Sequence, residues 1–139
     1  HNVLIGERTA EEIKIKIGSA IDYGREGRME VKGRNLLDGL PKNVTVTSEE
    51  IREAMSDCIN TILDAVKATL EKTPPELAAD IMRHGITLTG GGALLRGIDK
   101  LIASQTGMPV RVADNPLDCV ADGTGIFLET DVLGAVGKK

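Results

Sequence analysis

Apolar positions along the chain follow two rhythms, a helical spacing of three and four and a strand-like alternation, with glycines and prolines between them. Beginning at residue 7, Ala10, Ile13, Ile17 and Ile21 form one stripe, and Thr9 with Glu12 has the spacing of a capping box; together they predict a first helix over 7–19. Glu11, Lys14 and Ile15 fall on a different face of that helix. Residues 28–33 and 44–47 alternate across a loop of turn residues at 36–41, which predicts an antiparallel strand pair. Over 48–72, Ile51, Met55, Ile59, Ile62, Val66 and Leu70 make one long stripe, and Arg52, Glu53, Asp57, Asp64 and Lys67 lie outside it. A helix beside strands buries such a stripe on them, so this one is expected to pack on the small sheet. Thr73, Pro74, Pro75 and Glu76 stop it and start a short helix that ends at His84 and Gly85, with His84 serving the helix C-terminus. Ile98, Leu101 and Ile102 give a further helix, stopped by Gly107, and residues 109–113 a short strand. A last helix over 116–130 is interrupted by Gly123 and Gly125, and the tail 131–139 is expected to fray.

Between the short helix and the Ile98 helix, a strand-like run from Ile86 breaks into Gly90, Gly91 and Gly92 before the apolar Ala93, Leu94 and Leu95. Glycines allow positive φ and close backbone approach, and the free N–H groups of a following helical turn point at negative charge or a polar ring. The spacing matches neither a Walker loop nor the G-x-G-x-x-G fingerprint. Residue by residue, two readings stay open: an empty strand-to-helix turn, or a backbone cradle for a ligand. Glu11 and Lys14 read first as a solvated i,i+3 ion pair, with a ligand-facing edge as the other reading.

Composition narrows the picture. The 139 residues suit one domain or two small lobes, and Tyr23 and Phe127 are the only aromatics, so a core must come from aliphatic side chains and methionine. A net charge of −4 and the lack of stacking platforms argue against a nucleic-acid partner. Cys58 and Cys119 have no His or Cys at ligand spacing nearby and are expected to be buried, reduced thiols. No apolar run is long enough for a membrane helix. The chain opens on His1 and runs at once into patterned sequence, as expected of a piece of a longer protein.

Four segments carry a resemblance. Residues 5–14, with Gly6, Glu7, Arg8 and Thr9; residues 72–80, with Pro74 and Pro75; residues 88–96, with the three glycines; and residues 119–125, with Asp122, Gly123 and Gly125, are similar to the C-terminal part of the MreB family, the bacterial actin homologues. They occur in the family's order and span nearly the whole chain. The resemblance implies an α/β, actin-like ATPase fold with a nucleotide between two lobes. Residues 1–72 would form a small α+β upper lobe, and 73–139 part of a larger lower lobe. By position, Glu11, Glu12, Ile13 and Lys14 resemble the helical segment over the adenosine. Gly90, Gly91, Gly92 and Ala93 resemble the turn approaching the nucleotide from the other side, and 122–125 the hinge helix.

The family's phosphate loops and the acidic residues that organise Mg²⁺ precede this region. No catalytic residue is therefore assigned, and ATP hydrolysis is expected of the parent protein but not of this piece. The resemblance implies ATP as ligand, Mg²⁺ held mainly by the missing half, and self-assembly into filaments through the upper-lobe tip at 23–41. It also implies cell-wall-synthesis and shape-determining membrane proteins as partners, at the cytoplasmic face of the cell membrane, with membrane contact through the missing half. The alternative is a sugar kinase or heat-shock chaperone of the same superfamily, which would need a sugar pocket or a substrate domain.

Overall fold

The computed structural model describes residues 1–130, and the expected tail 131–139 lies outside them. The chain begins with strand β1 (Val3–Leu4), helix α1 (Glu7–Ile17) and the hairpin strands β2 (Arg28–Asn35) and β3 (Pro41–Thr47). The strand order is β1-β2-β3, antiparallel throughout, with Met29 opposite Val46 and Val31 opposite Val44. Alternation turns these four side chains to one face, where Ile13, Ile5 and Ile17 cover them to form a first core. Two residues are too few to show a period, so β1 had no sequence signal. The hairpin turn satisfies its own backbone: Asn35 Oδ1 accepts from the Leu37 N–H at 3.2 Å and Asp38 Oδ1 from the Leu40 N–H at 3.0 Å. Leu36, Leu37 and Leu40 are left exposed, Leu37 at 82%.

Helix α1 does not begin at the expected capping box. Gly6 is its N-cap and the Ala10 N–H donates to the Gly6 carbonyl at 3.0 Å, which puts Thr9 inside the first turn. Of its expected stripe, Ile13 is buried and Ile17 half-buried, while Ala10 is exposed.

Helix α2 (Ser48–Glu71) starts at a capping box: Thr47 Oγ1 accepts from the Glu50 N–H at 3.3 Å, and Glu50 Oε2 from the Thr47 N–H at 2.9 Å. Its stripe is divided. Ile51 packs on the sheet, whereas Met55, Ile59, Leu63 and Val66 belong to a second core with Ala20, Ile98 and Ile102. The expectation that the whole stripe lies on the sheet is thus corrected: only Ile51, in the first turn of α2, packs against the sheet core, and the rest of the stripe runs on to the second core. Ile62, an expected stripe member, is exposed. So is Cys58, one step of the helix from Ile59, and Cys119 is only partly buried, so neither thiol meets the expectation of burial.

Helix α3 (Pro75–His84) has Pro74 as N-cap with no side-chain bond, and the Thr73 hydroxyl instead donates back to the Thr69 carbonyl at 2.7 Å. His84 does serve the helix end, its Nδ1 lying 3.1 Å from the Asp80 carbonyl. Strands β4 (Ile86–Leu88) and β5 (Val110–Val112) pair in parallel around helix α4 (Ile98–Thr106), in which Ile102 is 1% exposed. Helix α5 (Cys119–Glu129) contains no buried residue, and Val120, Ile126, Phe127 and Leu128 are exposed on it. Among the described residues a Cβ at Gly123 or Gly125 would meet nothing within 4 Å, so close packing against them does not account for either glycine.

Candidate functional site

An α-helix turns by about 100° per residue, so four consecutive residues of α1 spread over its circumference. Glu11 Oε2 and Lys14 Nζ form an exposed ion pair at 2.7 Å. Glu12 points elsewhere and meets Lys16 one turn on, at 3.5 Å. Ile13 is 3% exposed and packs with Val31 and Val46. Within α1 it is the anchor that seats the helix on the sheet and sets the direction of the Glu11 and Lys14 edge.

The glycine turn is built from β4 and the segment after β5. Gly90 has φ 81° and ψ 175°, a combination open in practice to glycine alone, and its N–H donates to the Pro116 carbonyl at 2.6 Å. A short 3₁₀ turn, Gly91–Leu94, follows, with the Ala93 N–H donating to the Gly90 carbonyl at 3.2 Å. Ala93 is buried and pins the turn inward, while Gly91 and Gly92 are exposed. A Cβ at Gly91 would touch only Leu117 Cδ2, at 3.4 Å, and one at Gly92 would meet nothing. The three glycines therefore differ: Gly90 carries the torsion, and Gly91 with Gly92 present bare backbone whose leading N–H groups have no acceptor within the turn. Such a surface suits an anion or a polar ring.

The two segments are tied where each ends. The Ala20 N–H donates to the Arg96 carbonyl at 2.8 Å, and Ser19 and Arg96 form a parallel bridge. A Cβ on Gly97 would stand 2.6 Å from Ile21 Cγ1, so the chain after the glycine turn passes directly under the chain after α1. Sequence reading missed Ser19, Ala20, Arg96 and Pro116 as the residues that hold the arrangement; of these contacts only Gly97, a glycine beside two apolar runs, left a trace. Cavities of about 460, 400 and 320 Å³ occur nearby, and none is lined by Glu11, Lys14 or the three glycines. Among the described residues no cluster of three or more His, Cys, Asp or Glu side chains could hold a metal ion, and no helix is long and apolar enough to cross a membrane.

Comparison with known proteins gives this geometry its context. The family model described as MreB/Mbl protein matches residues 1–133. The cell shape-determining protein Mbl of Bacillus cereus is 53% identical over 129 residues, covering 93% of this chain and 39% of that protein. The cell shape-determining protein MreB of Escherichia coli is 52% identical over 126 residues, 91% of this chain and 36% of that protein. Among solved structures, MreB5 of Spiroplasma citri bound to ADP superposes with a TM-score of 0.88 at 47% identity, over 93% of this chain and 39% of that one, and its AMPPNP complex with 0.87. The MamK double helical filament, at 18% identity and a TM-score of 0.65 over 84% of this chain and 36% of that one, shares the fold. The chain thus spans about two-fifths of the length of the relatives it matches. With the family model matching from the first residue through the glycine turn to α5, the chain belongs to the MreB/Mbl family and has an actin-like fold.

Proposed function

We propose that this chain is part of an ATP-binding, filament-forming protein that determines cell shape by organising cell-wall synthesis at the cytoplasmic face of the membrane. The observation that carries the reading is the open backbone of Gly91 and Gly92, in a fold shared at a TM-score of 0.88 with a relative bound to ADP. In this reading the Glu11 and Lys14 edge of α1 and the glycine turn are two walls of a nucleotide site. Lys14 and Glu11 orient polar atoms of the base and ribose, and the Gly91 and Gly92 amides donate to the nucleotide from the other side. The described residues supply no metal-binding set, so the accompanying Mg²⁺ is assigned to the part of the family's proteins that this chain does not span, and no hydrolytic step is assigned to these residues. Residues 1–72 and 73–139 are taken as contributions to an upper and a lower lobe. Subunits stack head to tail, and the exposed Leu36, Leu37 and Leu40 at the hairpin tip are the apolar surface assigned to that contact. Other partners would be shape-determining and wall-synthesis proteins of the membrane. The sugar-kinase or chaperone alternative shares the superfamily's fold, and the match to the MreB/Mbl family model over residues 1–133 is what favours the first reading.

The test is calorimetric titration of ATP into the intact protein and its Gly91→Val variant. Gly91 lies outside the positive-φ region, so valine adds bulk without the strain it would bring to Gly90. ATP affinity should fall at least tenfold while the melting temperature without nucleotide holds. Equal affinities would leave the three glycines as an empty turn.

A further inference from the structure

Across α1 from the Glu11 and Lys14 edge lies a cleft of about 400 Å³, lined among others by Lys16, Tyr23, Arg25, Glu26, Arg52 and Arg96. Lys16 is two residues beyond Lys14, a rotation of about 200° around the helix, and neither Glu11, Lys14 nor any of the three glycines lines the cleft, so it is separate from the proposed nucleotide site. We propose that this cleft is a second anion site, which takes a small, multiply charged phosphate compound.

Four cationic side chains line it against one carboxylate, in a chain whose net charge is −4. That carboxylate is already engaged, since Glu26 Oε2 accepts from Arg28 at 2.9 and 3.3 Å. Arg52 reaches Asp22 at 3.5 Å, and the other oxygen of Asp22 accepts from the Gly24 N–H. Among the described residues Arg25 and Arg96 form no ion pair, and Lys16 has only the 3.5 Å contact to Glu12. Buried hydroxyls near the mouth are spent on the fold: Ser48 Oγ accepts from the Gly27 N–H, and Ser19 Oγ donates to the Ile21 carbonyl. Ligand charge thus falls to the guanidinium groups, whose planar forks match phosphate oxygens in pairs. Two unpaired guanidinium groups and an ammonium around one concavity call for more than one negative charge, and the volume is that of a small-molecule pocket. The walls come from both cores, because Arg25 and Lys16 follow the sheet side while Arg96 follows the glycine turn. A bound anion would therefore clamp the two together.

The test uses intact protein saturated with ATP and titrates inorganic pyrophosphate by calorimetry. Saturable binding of one per chain is expected, weakened at least tenfold in the Arg25→Gln, Arg96→Gln double variant and unchanged in a Lys32→Gln, Lys42→Gln control on the hairpin. Both arginines are exposed, so the double variant should melt with the wild type. Absent binding, equal loss in both variants, or binding that vanishes once ATP is present would overturn the site. Flotation with phosphatidylglycerol vesicles assigns the source: loss in the double variant alone makes the phosphate a lipid headgroup, and unchanged flotation makes it a free solute. Dependence on Arg25 and Arg96 stands or falls separately from ATP binding at Gly91.

Discussion

Gly90 is where backbone chemistry is most demanding. An L side chain at φ 81° and ψ 175° costs about 1–3 kcal/mol, and the turn cannot relax easily because the Gly90 N–H is held by Pro116. Gly90→Ala should therefore lower stability by that amount in denaturant unfolding, whereas Gly91→Ala should leave it near wild type; equal losses would place the strain elsewhere. That three glycines interrupt a strand was plain in the sequence. Which of them carries the torsion was not, because the bond to Pro116 comes from a segment far along the chain. Ile13 teaches the same lesson from the other side: a contiguous motif names a stretch of helix, and only packing decides which of its residues face in.

Helix starts show how local spacing meets its limits. Thr9 with Glu12, Thr47 with Glu50, and Thr73 with Glu76 share one spacing, yet only the second pair forms the reciprocal bonds. Gly6 begins α1 a turn before Thr9 can act, and Pro75 at the first helical position makes Pro74 the cap of α3. Thr47→Ala should cost about 1 kcal/mol, the usual worth of a cap, and Thr9→Ala distinctly less. Thermal melts of the two variants check this, and similar losses would deny the capping box its role. The long elements were legible because their periods extend over several turns; β1 was not, since two residues gain strand character only from the edge of β2.

For the molecule as a whole, the division of α2 between two cores has a consequence for how the chain comes apart. The hairpin closes locally, but the second core joins Ala20 to Ile98 and must close a long loop before it is rewarded. A rod gripped at one end by the sheet and along its middle by α4 transmits loss at either grip to the other. The chain should then unfold in one cooperative step despite its two cores, and α2 amides near Ile59 should exchange with solvent only through that global event. Ile59→Ala, which empties volume in the second core alone, should cost about 2–5 kcal/mol and speed exchange at Val31 in the first core by the same factor as at Leu63 in its own. Faster exchange confined to the neighbourhood of Leu63 would mean that the two cores breathe independently, and that α2 is two helices in series as far as opening is concerned.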